Sequence, residues 1–386
     1  MLRYLSAGES HGPVLTSVLD GVPAGLSLIP SQHIDPWLRR RQAGYGRGVR
    51  QVIESDTARV VGGVRAGYTT GAPIGIHVDN KDWRNWEKVM SPEPGALPRA
   101  RSLTEARPGH ADLAGGIKYG HKDLRDVLER ASARETASRV AAGAVALRIL
   151  EEVGVQGCAR VVAMGGIDAA GGMDWEALDR LDESPLRVFD EEAAARIMDA
   201  IDAAKEAGDT MGGVVEARFR GVPVGLGSHT QWDRRLDGRL GQAVMSIHSF
   251  KGAEVGDGWY ATAKPGSQVQ DAIFRDAAAS RFYRETNRAG GLEGGMTNGE
   301  EVVVRGAVKP IATLMSPLPS VDVVTKEAVD ASRERSDTTA VPAASIVALA
   351  MTALVLADAV LEKFGADTMR EVKDRAEAHR RYVSEY

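Results

Sequence analysis

The chain has 386 residues, 43% hydrophobic and 26% charged, with 53 acidic side chains against 48 basic ones and a formal net charge of −5. These proportions belong to a folded globular protein with ample core material and exclude extensive disorder. A single cysteine, Cys158, excludes a disulfide framework and any cysteine-based metal site, and the mild acidity gives no reason to expect nucleic acid.

In chain order, no apolar run develops between Met1 and Gly8-Glu9 that could act as a signal segment, so a cytoplasmic setting is expected. Val- and Ile-rich runs bounded by Gly or Pro predict strands at Val14–Leu19, Val52–Val61, Ile74–Val78, Cys158–Met164, Val214–Phe219 and Glu301–Val304. Helices are expected at Asp35–Gln42, Ser132–Gly154, Glu191–Ala207 (on the surface) and Thr338–Gly365, with a solvated helix in the charged tail after Ala366. Two of them, Ser132–Gly154 and Thr338–Gly365, are Ala-rich, apolar around most of their circumference and end at glycine. Such helices belong in a layer covered by sheets. The greasiest stretch, Ala343–Ala357, is interrupted by Ser345 and Thr352 and is shorter than the roughly 20 residues that span a bilayer. Gly21-Val-Pro-Ala-Gly-Leu26 returns as Gly221-Val-Pro-Val-Gly-Leu226, and Ala141–Leu147 is echoed by Ala343–Leu349. Two similar offsets in the same order suggest duplicated halves, about 1–200 and 201–386, against chance matching of Ala/Gly-rich strings.

Several polar clusters carry chemistry. Arg39 to Arg50 holds five arginines, Arg41 and Arg47 among them, and no acid, with interleaved glycines. Guanidiniums bind phosphate and carboxylate bidentately, so this run reads as an anion site, as a solvated basic face or as a nucleic-acid footprint. His11 in Gly-Glu-Ser-His-Gly and His110 in Arg-Pro-Gly-His-Ala-Asp lie among glycines and ionisable groups, and His121 follows Tyr119-Gly120. The three lack metal-ligand spacing, and no metal is expected. Ser132-x-x-Glu135 has the pattern of a capping box at a helix start flanked by Arg130 and Arg134. Asp337, after Arg335-Ser336, stands where a helix cap would. Neither a GxGxxG opening a helix nor a GxxxxGK[ST] string is present.

The strings at 8–12, 46–48, 107–112, 130–136, 294–299, 309–313 and 335–337, in that order, resemble those of the chorismate synthase family along most of the chain. One departure is His248-Ser249, where the family commonly has an amide residue followed by Ala. The resemblance implies one α+β domain over 1–386. Its fold would be a β-α-β sandwich, two antiparallel sheets enclosing long helices, assembled as a homotetramer without nucleic-acid or membrane partners. It implies a lyase of the shikimate pathway, eliminating phosphate from 5-enolpyruvylshikimate 3-phosphate (EPSP) with reduced FMN and no net redox change. NADPH would enter only through flavin reduction, with room for a separate flavin reductase. By the same resemblance Ser10, Arg41, Arg47, Arg107, Ser132, Arg134 and Arg335 contact EPSP. Arg130, Ala131, Ser132, His248, Ser249, Gly295, Lys309, Pro310, Ile311, Ala312, Thr313 and Arg335 contact FMN. His11 would give a proton to the departing phosphate, His110 would protonate the reduced flavin, and Asp337 would act in taking up the C6 hydrogen. A flavoenzyme of net redox and an RNA- or phosphate-binding module are the rival readings.

Overall fold

The computed structural model describes residues 1–47, 56–94, 101–276, 278, 280–333, 337–365 and 367–386. Elements that place the site are, in order, β1 (Arg3–Ala7), β2 (Val14–Asp20), α1 (Asp35–Gln42), β3 (Ala58–Gly62), β4 (Ile74–Asp79), α2 (Asp112–Tyr119), α3 (Arg125–Ala131) and α4 (Thr136–Glu152). They continue with β5 (Gln156–Met164), β6 (Ile167–Asp168), α5 (Glu191–Glu206), β7 (Gly213–Arg220), α6 (Leu236–Met245), β8 (Phe250–Val255), β9 (Val302–Val308), α7 (Val341–Phe364) and α8 (Met369–Glu385).

Two antiparallel sheets form, one ordered β1-β2-β4-β3 and the other β8-β9-β7-β5-β6. Helix α4 packs on β2 and β4, α7 packs on β5 and β7, and the two helices pack on each other. One apolar core runs from Leu15 to Ala376 through all of these contacts. The helices meet closely at Gly143, where an added Cβ would clash with Ala350 Cβ. Alanine gains up to about 1 kcal/mol over glycine in helix propensity, but overpacking a filled core typically costs about 1–3 kcal/mol. Gly143→Ala is therefore expected to lower the melting temperature, and an increase on calorimetry would show that the helices can separate freely.

Helix α7 is, by length and composition, apolar enough to cross a membrane, longer than the stretch read from sequence. Burial of 83% of its most apolar window explains that character as a core helix. The tail helix α8 is tied to the core through buried Met369, Val372 and Ala376, so it is amphipathic rather than wholly solvated. It opens with a capping box, Thr368 and Glu371, that the sequence reading passed over.

Other expectations shift at their edges. Of the predicted strand 52–61, residues 52–55 lie outside the described residues, and pairing begins at Ala58. The turns after β2 and β7 carry the same bonds. Leu26 N donates to Thr69 Oγ1 (2.9 Å) and that hydroxyl donates to Pro23 O (2.6 Å). Leu226 N donates to Thr297 Oγ1 (2.8 Å), whose hydroxyl donates to Pro223 O (2.6 Å).

Candidate functional site

The site assembles where the loop between β1 and β2, the C-terminal end of α1, α3 and the start of α4 meet. Ser10 N donates to Glu129 O (2.9 Å), and Ser132 Oγ donates to Ser10 Oγ (3.1 Å). Ser10 and His11 are thereby held against the end of α3, both buried. His11 N and Nδ1 both donate to the Glu129 carboxylate, at 2.8 Å each, and Arg125 Nη1 donates to the same group at 3.1 Å. Burial alone would raise the Glu129 pKa, but the bonds and charge from His11 outweigh it and hold the carboxyl below its ordinary range.

A second pair has the same form. His110 Nδ1 lies 2.5 Å from Asp112 Oδ1, and Arg107 Nε donates to Asp112 Oδ2 at 2.8 Å. Asp112 is fully buried, yet hydrogen bonds from His110 and Arg107 overcome desolvation and depress its pKa strongly. Arg107 Nη1 also donates to Thr313 Oγ1 (3.1 Å), and Lys309 Nζ donates to Gly109 O (2.6 Å). Two motifs about 200 residues apart in sequence are thus locked together.

The arginine cluster is organised by a residue that sequence reading missed. Asp56 accepts from Arg134 Nη1 through both oxygens (2.7 and 2.6 Å) and from Arg41 Nη2 (2.9 Å). All three are buried, and Arg41 Nε has no hydrogen-bond partner. Burial brings the Arg41 pKa down to about 10, against the opposing pull of Asp56. With one carboxylate between two guanidiniums, a positive charge is left over for an anion to meet. Arg47 Nη1 donates to Arg41 O (2.6 Å), and Arg47 Nε lies 3.4 Å from Asp337 Oδ2.

Two local readings are corrected. Ser132 accepts from Arg134 N (3.3 Å) and caps a single 3-10 turn, Ala133–Glu135. No capping box forms there, because Glu135 accepts instead from Ser6 Oγ (2.8 Å) and Arg139 Nε (2.8 Å). Asp337 is not the cap of α7, whose N-cap is Ala340. Its carboxylate is left for Arg47.

Of the residues the resemblance assigns to FMN, Arg130 lies against the β1–β2 region, donating to Gly8 O (3.0 Å) and to Ser6 Oγ (2.7 Å). His248 joins Arg130, Glu135, Arg139 and Ser6 around a cavity of about 370 Å³. Burial lowers the His248 pKa against the Glu135 carboxylate, 3.8 Å away, and its buried Nδ1 has no hydrogen-bond partner. Ser249 takes φ +68, a conformation rare outside glycine, and its carbonyl accepts from Lys309 N (2.9 Å). Ala131 ends α3, Ile311 O accepts from Thr210 Oγ1 (2.8 Å), and Pro310 and Ala312 pack beside Gly212 and Gly109.

Gly295 stands apart. It packs on Arg235 at the start of α6, while His248 follows its end, roughly 15 Å along the axis for ten residues. Arg335 lies outside the described residues, as do Gly48 and Arg50 of the arginine run. His121 is a surface group, 3.5 Å from exposed Asp126 and outside this cluster. Cys158 is buried, and its thiol is pushed up to about 12 by desolvation, which removes thiolate chemistry. Among the described residues no cluster of His, Cys, Asp or Glu could hold a metal.

Antiparallel sheets with long buried helices packed on them, and histidines and arginines held by buried carboxylates, are the features of an enzyme of mixed α and β structure. The chorismate synthase family model matches residues 2–361. Chorismate synthases from Thermus thermophilus and Moorella thermoacetica are 59% and 55% identical over 385 and 386 residues, covering all of this chain and all of theirs. A solved crystal structure of chorismate synthase, 41% identical, superposes with a TM-score of 0.79 and covers 100% of this chain and 99% of that one. The chain belongs to the chorismate synthase family, and so to the enzymes of the shikimate pathway.

Proposed function

We propose that the chain is a lyase that removes phosphate from EPSP by 1,4-anti elimination, giving chorismate, with reduced FMN bound and no net redox change. The observation that carries this reading is the bonded network that runs from Ser10, next to His11, through Ser132 and Arg134 to Asp56, Arg41, Arg47 and Asp337, joining distant segments of the chain. EPSP bears two carboxylates and a phosphate, which matches the surplus of guanidinium charge around Asp56. Arg41 and Arg134 bind the substrate through that surplus, Arg107 through the N–H groups that Asp112 leaves over, Arg47 and Ser10 offer directed donors, and Ser132 orients the Ser10 hydroxyl. Arg335 completes the set by resemblance.

FMN suits the cavity beside His248: its orphaned Nδ1, Arg130 and Arg139 provide donors and positive charge for a polar ring edge and a phosphate. When bound, reduced FMN supplies the electron that the allylic phosphate needs to depart, and receives it back. His11 delivers a proton from Nε2 to the leaving phosphate oxygen. His110 holds a proton for the flavin side of the site, and Asp337 takes up the proton released from C6. NADPH enters only through flavin reduction, by this chain or a separate reductase.

The sandwich architecture and two-half repeat belong to this reading, supported by the matched turns at Thr69 and Thr297. So do the cytoplasmic setting and a homotetramer. Exposed Leu5, Val18 and Val61 on the first sheet's outer face support assembly. Anaerobic assay with EPSP, FMN and dithionite tests the chemistry. Phosphate and chorismate are expected in equal amounts with the flavin still reduced, whereas flavin oxidised in proportion to product would mean a net redox enzyme.

A further inference from the structure

The geometry points to Glu129 as the positioning residue of His11, fixing its ring so that Nδ1 faces the carboxylate and Nε2 faces the reactants. The inference rests on the reading of His11 as proton donor and adds the residue through which the protein aims it.

Two contacts act on the imidazole, and a third fixes the backbone that carries it. Glu129 accepts from His11 Nδ1 with both oxygens, at 2.8 and 3.0 Å, and from the His11 backbone N–H at 2.8 Å. A carboxylate can only accept, so Nδ1 carries hydrogen whenever this pair is formed. The ring face stacks on Trp86, with centroids 3.7 Å apart and planes inclined by 23°. Trp86 is held in turn by its Nε1–H donating to Asp82 Oδ2 (3.0 Å) and by the Arg101 guanidinium 4.1 Å from its ring centroid. These contacts leave no rotation about the ring axis that keeps the Glu129 bonds, and Nε2 is the atom without a hydrogen bond among the described residues.

Glu129 is itself fixed. It is 2% exposed, sits on α3, and receives Arg125 Nη1 at 3.1 Å from one helical turn earlier. Helix α3 is the same element that ends at Arg130 and Ala131 and turns into Ser132. The carboxylate thus sets the His11 ring relative to the groups expected to hold substrate and cofactor. A flexible histidine in this glycine-flanked loop would sample several rotamers, and a misplaced proton donor loses rate steeply with small displacements.

A double-mutant cycle tests it, using Glu129→Gln, Glu129→Ala, His11→Ala and the two combined variants in the full-length enzyme with saturating EPSP and reduced FMN. Glu129→Ala is expected to lower kcat at least about tenfold, and by no more than His11→Ala, whose loss falls in the range of about 10²–10⁴ for a general acid. Because Glu129 works through His11, adding either Glu129 substitution to His11→Ala should change kcat by less than about twofold. Equal losses in both backgrounds would overturn the proposal and make Glu129 a structural residue. Should the alanine variant not fold, Glu129→Gln completes the cycle: it keeps the size but removes the charge and puts an N–H donor in place of one of the two oxygens that accept from Nδ1.

Imidazole ¹⁵N spectra separate this idea from the function it rests on. The wild-type signal should show Nδ1 protonated both in the imidazolium that donates from Nε2 and in the neutral ring left behind, with exchange between the two nitrogens appearing in the neutral ring of Glu129→Gln. If His11→Ala keeps full turnover, the proton-donor reading fails while the ¹⁵N result still decides the placement. Unchanged spectra in Glu129→Gln would refute the placement itself.

Discussion

Replacing Asp56 with alanine is expected to lower the unfolding free energy by about 3–5 kcal/mol, since it leaves buried guanidiniums without their anion. Arg41 and Arg134 are 5% and 9% exposed, and neither can move its charge into water without unpacking α1 from α4. Asp56→Asn separates charge from shape: the amide oxygen still accepts a hydrogen bond, but no negative charge opposes the two cations. Burial alone would raise the Asp56 pKa, but Arg134 and Arg41 outweigh it and leave it lowered. Its stabilisation is therefore complete above the ordinary carboxylate range and is lost as pH falls through the folded value. The midpoint of urea denaturation should fall on acidification more steeply in wild type than in Asp56→Asn. Parallel curves from pH 7 to pH 3 would show that the two arginines are compensated elsewhere.

The same residue shows what could be read from sequence and what could not. Ser10, His11, Arg47, His110 and Asp337 are legible because glycines, arginines and histidines cluster in short strings, and short strings survive inspection one at a time. The long helices are legible through composition, and their burial follows from apolar residues on all sides. The carboxylates that organise the site are not legible in this way. Glu129 lies 118 residues from His11, and Asp56 lies 78 residues from Arg134. An isolated acid on a helix or beside a loop has the sequence signature of a solvated residue, and only the fold brings it to its partner.

Asp112 is the intermediate case. It stands two residues after His110 and five after Arg107, near enough for the pairing to be suspected from spacing. The Ser132-x-x-Glu135 pattern misled for the converse reason. Its local rule is sound, but Ser6 and Arg139 offer Glu135 better partners than the backbone N–H of Ser132. Strand β1, alternately half-buried and exposed along a sheet edge, gave no continuous apolar run to find.

His110→Ala is expected to cost about 10²–10⁴ in turnover, the usual contribution of a positioned acid or base. The structure indicates that this loss should come with little change in stability. Asp112 loses one donor but keeps Arg107, which contacts both of its oxygens at 2.8 and 3.1 Å, so no buried charge is stranded. The backbone turn survives as well, because His110 N donates to Arg107 O (3.2 Å) whatever the side chain, and Gly109 keeps φ +75. Asp112→Ala is the contrasting variant. It strands Arg107 in a site 7% exposed and releases His110, so it should lose both stability and rate. Stopped-flow measurement of EPSP turnover with prereduced FMN, beside calorimetry of both variants, distinguishes the two. Wild-type turnover in His110→Ala across pH 6–8 would make His110 a brace for Asp112 and remove it from the proton chemistry.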